Sequence, residues 1–104
     1  MTQGVGFALL EELELQEGTI KNPAFSSYLI PTALDVPKIE AYFIEEAEDS
    51  GPFGAKGLGE PAMLPTVAAV INAIDDAVGV RITSLPATPE KILQALAEKK
   101  EEVD

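Results

Sequence analysis

One carboxylate and the glycines in front of it carry most of the chemistry this chain offers. The stretch is Gly51-Pro52-Phe53-Gly54-Ala55-Lys56-Gly57-Leu58-Gly59-Glu60-Pro61, and it runs directly into an apolar segment. Four glycines between positions 51 and 59 predict a backbone that takes φ > 0 or comes very close to another group. Glu60 is expected at the N-terminal end of a helix, whose positive partial charge favours the ionised carboxylate, while an apolar surround favours the neutral form. That balance suits a general base. The flanking glycines would let backbone amides approach a bulky anionic group, with Lys56 as a nearby counter-charge. An ordinary first-turn acid that only complements its helix would stand in the same place, so the residues alone leave both readings open.

Two other glycine-loop chemistries do not fit. A nucleotide P-loop needs Gly-Lys-Ser/Thr, but Lys56 follows Ala55 and precedes Gly57, so the metal-binding hydroxyl is missing. Gly57-Leu58-Gly59-Glu60-Pro61-Ala62 satisfies the loose dinucleotide pattern, yet Glu60 would repel a pyrophosphate and Pro61 withholds an amide. Cysteine and histidine are absent, which removes disulfides, thiolate chemistry, imidazole bases and the usual zinc sites. Proton chemistry is left to carboxylates, Lys or Tyr. Seven Lys+Arg against 18 Asp+Glu give a net charge of −11, which opposes nucleic acid and anionic membranes as partners. The N-terminus lacks the blocks of a signal peptide, and no apolar run approaches the ~20 residues that span a bilayer. The cytoplasm is the default location.

The elements that must position Glu60 make up one small α+β domain of 104 residues. Residues 3 to about 13 place Val5, Ala8, Leu9 and Leu13 at helical spacing. This helix opens abruptly, with only Thr2 as a cap and Gly4 and Gly6 in its first turn, as if upstream context were missing. Gln16-Glu17-Gly18-Thr19 predicts a turn between short strands over 13–21. Residues 24–37 read as extended chain, because each proline pushes its predecessor out of the α region. Residues 39–45 alternate as a strand, and 45–49 form an acidic, solvated loop. A helix follows over 61–78, with Pro65 either kinking it or marking its true start, and Gly79 ends it. That helix is apolar nearly all round apart from Asn72, Asp75 and Asp76, so it is expected to be buried inside something larger, against an absent domain or subunit. Residues 80–83 predict a short strand. Thr88 caps a last helix that starts at Pro89, and the tail from Lys99 to Asp104 is expected to fray.

Gly54-Ala55-Lys56-Gly57-Leu58-Gly59-Glu60-Pro61 resembles the active-site glutamate motif of the large, molybdopterin-binding subunit of the xanthine dehydrogenase and aldehyde oxidase family of molybdenum hydroxylases. Gln3-Gly4-Val5-Gly6-Phe7-Ala8-Leu9 resembles the family's helix opening near the cofactor. Asn22-Pro23 and Tyr28 through Pro37 resemble the connection that follows. Asn72 through Arg81 and Leu85 through Glu90 resemble its closing segment. The resemblance covers nearly the whole chain in the right order and implies a C-terminal part of a molybdopterin-binding domain over 1–104.

It also implies a role for Glu60 as the general base, which deprotonates a molybdenum-bound hydroxyl whose water-derived oxygen attacks an electron-poor carbon of an aldehyde or N-heterocycle. Gly59 would sit against the molybdenum centre, and Gln3 would hydrogen-bond the cofactor. No protein ligand to the metal is implied. The cofactor would be a molybdenum-pterin, either molybdopterin or its cytosine dinucleotide form, not bound by this chain alone. The partners implied are the remainder of the large subunit and iron–sulfur and FAD subunits or domains, and self-association of the isolated chain is a further expectation. The family's subunits are several times longer, so a catalytically inactive remnant or a protein-interaction module is the alternative.

Overall fold

The architecture depends on how closely two helices approach. In a computed structural model, which describes residues 1–101, α1 (Thr2–Leu9) lies against α2 (Leu64–Val78). Gly4 sits at the contact. A Cβ built there would lie 2.7 Å from the Thr66 Cβ and 3.1 Å from the Met63 carbonyl, so any larger residue forces the helices apart. Gly6 is equally confined, with the Glu11 carboxylate at 2.6 Å and the Pro31 ring at 2.7 Å from a Cβ. Each glycine within a helix costs about 0.5–1 kcal/mol relative to alanine. Here the cost is offset by the helix contact and by seating Pro31 of the extended segment.

Ala8, on the same helical face, is fully buried, and its carbonyl accepts the Ala87 amide at 2.7 Å. With Val80 and Ala87 it makes the small apolar core. α1 stops at Leu9 rather than near residue 13. The Gly6 carbonyl accepts both the Leu10 and Glu11 amides, at 2.8 and 2.9 Å, and the chain leaves the helix at Leu10. Beyond it, local side-chain bonds compete successfully with helix continuation. Buried Asn22 accepts the Glu14 amide at 2.9 Å and donates to the Glu12 carbonyl at 2.6 Å. The predicted hairpin follows, pairing β1 (Leu15–Gln16) with β2 (Thr19–Ile20) antiparallel. Its two turn residues, Glu17 and Gly18, both have positive φ, as a tight two-residue hairpin loop requires.

Tyr28 anchors the extended segment by donating to Glu11 at 2.8 Å, and that carboxylate holds the Tyr28 hydroxyl above the usual tyrosine range. α2 starts at Leu64 rather than at Pro61, because Pro65 falls in the first helical turn, where its missing amide costs nothing. Gly79 closes α2 in the left-handed conformation, at φ +67. α3 (Pro89–Glu101) opens on Thr88, whose hydroxyl accepts the Lys91 amide at 3.4 Å. Lys99 is helical rather than frayed and donates to the Gly79 and Val78 carbonyls at 2.9 and 3.4 Å, bridging α3 to the end of α2. The end of the expected fraying tail, residues 102–104, lies outside the described residues.

Two expected strands, over 39–45 and 80–83, are not formed, since neither segment finds a strand to pair with among the described residues. Nor is α2 buried by this chain. No residue of it is fully buried, and Leu64 is 72% exposed, because α2 packs mainly on α1 and touches α3 only at its end. The radius of gyration is 18.0 Å, against about 13 Å for a compact domain of 100 residues. Phe25, Leu34 and Ile44 stand largely in the open. Gly4→Ala should destabilise the α1–α2 contact by about 1–3 kcal/mol in urea unfolding of the assembled protein. Lys100→Ala, at an exposed position of α3, should change it by less than about 0.5 kcal/mol. Equal effects of the two substitutions would contradict the packing account.

Candidate functional site

The glutamate loop begins with a closed turn built from backbone bonds. The Gly51 amide donates to the Glu48 carbonyl at 3.0 Å, and the Glu48 amide donates to the Gly54 carbonyl at 3.2 Å. Between them a single 3-10 turn spans Pro52–Gly54. Gly51 has no room for a side chain, since a Cβ would run into the Ala55 carbonyl oxygen. Gly54 takes φ +76, and Phe53 beside it takes φ 55, a left-handed conformation rare for an aromatic residue. The Phe53 ring has no cover from this chain. The expectation for the loop glycines therefore holds at 51 by close approach and at 54 by positive φ.

After the turn the chain runs back beside residues 42–47. Lys56 comes within 3.8 Å of Glu46, an exposed pair of small energetic weight. A cleft of about 630 Å³ opens between the two arms, lined by Tyr42, Phe43, Glu46, Lys56 and Leu58. Gly57 and Gly59 differ from the first two glycines. A Cβ at either would meet nothing within 4 Å, and the amides from Lys56 to Glu60 find no backbone acceptor among the described residues. Contacts within this chain give no reason for glycine at 57 or 59. Open backbone with unpaired donors can accept a bulky anionic group.

Glu60 stands four residues before Leu64, the first residue of α2, rather than in the helix's first turn, which contains no acid. Its carbonyl accepts the Met63 amide at 2.8 Å, forming the turn that leads into the helix. The dipole effect fades beyond a terminal turn, and Glu60 lies outside the first turn of α2. Its side chain is exposed and has no ion-pair or hydrogen-bond partner among the described residues. Gln3 is also exposed. Its neighbour Gly4 touches Met63 and Thr66, so Gln3 and the Glu60–Met63 turn lie at the same end of the α1–α2 pair. Gly59 is part of that end, whereas Lys56 is engaged with Glu46. No three His, Cys, Asp or Glu side chains among the described residues are grouped to hold a metal, and no helix there is long and apolar enough to cross a membrane.

Reading residues 45–49 as a solvated loop missed the part played by Glu48. Its closeness to Ser50 and to the glycines was the available signal. The Ser50 hydroxyl, at 2.9 Å, and the Ser50 amide, at 3.3 Å, donate to the Glu48 carboxylate and hold it below the ordinary glutamate range. With the folded pKa depressed, this tie contributes above the unfolded value and is lost as pH falls through the folded one. Carboxyl titration by NMR should find Glu48 below the ordinary range, and Ser50→Ala should raise it. A titration unmoved by the substitution would contradict the assignment.

Residues 1–37 match the family model of the molybdopterin cofactor-binding domain. Over 96 residues the chain is 40% identical to a putative xanthine dehydrogenase molybdenum-binding subunit of Escherichia coli (strain K12), covering 90% of this chain and 13% of that protein. It is 44% identical over 94 residues to the gamma subunit of the 6-hydroxypseudooxynicotine dehydrogenase complex of Paenarthrobacter nicotinovorans, covering 86% of this chain and 12% of the relative. The crystal structure of quinoline 2-oxidoreductase from Pseudomonas putida 86 superposes with a TM-score of 0.86 at 40% identity, over 93% of this chain and 13% of that one. The chain thus spans 13% of the first relative's length, and over that extent it matches molybdenum-binding subunits of the xanthine dehydrogenase and aldehyde oxidoreductase family.

Proposed function

We propose that this chain supplies the base-bearing wall of a molybdenum hydroxylase active site, in an enzyme that hydroxylates an aldehyde or N-heterocycle with oxygen derived from water. One observation carries the reading. Among the described residues, Glu60 is an exposed carboxylate without an ion-pair partner, at the end of five backbone amides that find no backbone acceptor, beside two glycines whose α-carbons face open space. These features fit a bulky anionic cofactor. When bound, a molybdenum-pterin, as molybdopterin or its cytosine dinucleotide form, supplies the two-electron oxidation.

The residues of this chain do the rest. Glu60 accepts, at a carboxylate oxygen, the proton of the attacking nucleophile, and Gly59 keeps the backbone low enough for close approach. The Gln3 amide donates a hydrogen bond to the cofactor from the same end of the α1–α2 pair. The open flank of α2 and the exposed apolar side chains call for the remainder of the subunit, and electrons leave through iron–sulfur and FAD partners. The same apolar surface would serve a non-catalytic interaction module, which is the competing reading.

Co-expression with the remainder of such a subunit separates the two. The chain alone should carry no molybdenum by elemental analysis, and the assembled complex should carry it. In that complex Glu60→Gln should lower turnover by about 10²–10⁴-fold with molybdenum content unchanged. Gln3→Ala should lower molybdenum content instead. Normal turnover with Glu60→Gln would refute the base assignment and leave the interaction module.

A further inference from the structure

From Val36 to Ala47 no backbone amide or carbonyl pairs with another backbone group of the described chain. Loops usually solve this with polar side chains and water. This segment instead carries Ile39, Tyr42, Phe43 and Ile44, the last three 85%, 76% and 94% exposed. In extended chain Ile39, Ala41 and Phe43 fall on one side, with Glu40, Tyr42 and Ile44 on the other. Aromatic and β-branched residues in that alternation, with a free row of donors and acceptors, have the chemistry of an unpaired strand edge.

We propose that residues 39–44 are an edge strand that adds, by backbone hydrogen bonds, to a sheet edge in the remainder of a molybdenum-binding subunit. The occupant follows from two observations. The backbone of this chain superposes at a TM-score of 0.86 on a segment that makes up only 13% of a far larger chain. Over the 93% of the chain that superposes, its open shape is therefore close to the shape of the matching segment inside that larger chain. Pairing with a second copy is opposed by charge, because the net charge is −11 and Glu45, Glu46, Glu48 and Asp49 directly follow the segment. Docking has a consequence for the site. The segment leads into the turn closed by the Glu48–Gly54 bond, so seating the strand immobilises the base of the loop that carries Glu60.

The inference rests on the chain assembling with the rest of such a subunit, and it does not depend on Glu60 acting as a base. The test therefore reads assembly rather than turnover. The chain is co-expressed with the Escherichia coli relative lacking its matching segment, with that relative's own segment supplied in trans as the positive control. Hydrogen exchange should slow by at least about tenfold at alternate amides between 39 and 44 on assembly. A proline scan over Glu40, Ala41, Tyr42 and Phe43 should weaken co-purification about tenfold at one parity and spare the other, because only every second amide faces the partner edge. Three results would each overturn the proposal: no complex where the control forms one, a complex in which these amides exchange as in the free chain, or protection that grows with the concentration of the chain alone. Loss of turnover in Glu60→Gln with assembly intact bears only on the base.

Discussion

The contact at Gly4 is the constraint on which the rest depends. Because a Cβ there would strike Thr66 and the Met63 carbonyl, the backbones of α1 and α2 meet at their N-terminal ends. Two chain segments far apart in sequence, Gln3 and the Glu60–Met63 turn, are brought together by that approach. Ala8 extends the same face and ties it to Ala87. The candidate site is thus set by small residues that let backbones touch, and only secondarily by the polar groups that would do the chemistry.

A chain of this size with so few buried side chains does not account for its own shape. Hydrophobic burial is the main force that offsets chain entropy, yet Phe25, Leu34, Ile44 and Phe53 are exposed and α2 keeps an open flank. Local bonds hold the pieces instead: Asn22 at the hairpin, Tyr28 on Glu11, Lys91 on Glu12 and on the Pro86 carbonyl, Lys99 at the end of α2. Similarity to a segment of larger chains fits the pattern, since the matching part makes up 10–14% of relatives such as these.

What could be read from the sequence was what local chemistry decides. Gly79 at the end of α2, Thr88 and Pro89 at the start of α3, and the hairpin turn at Glu17-Gly18 follow from backbone conformation and capping, which neighbours in sequence control. The glycine loop was legible for the same reason at Gly51 and Gly54. The premature end of α1 was not, because it depends on Asn22 and Tyr28 reaching back from residues later in the chain. Neither was the absence of strands at 39–45 and 80–83, since a strand needs a partner and periodicity reports only its willingness to pair. The positive φ of Phe53 had no signal at all, being imposed by the turn closed between Glu48 and Gly54.

The central claim is that Glu60 faces the reacting group of the cofactor. A crystal structure of the assembled, cofactor-loaded complex measures this most directly. The account predicts the Glu60 carboxylate within hydrogen-bond reach of the reacting centre, about 2.6–3.2 Å or through one water, with the Gly59 backbone against the cofactor and Gln3 bonded to it. A Glu60 side chain turned to bulk solvent, with another residue in that place, would contradict it.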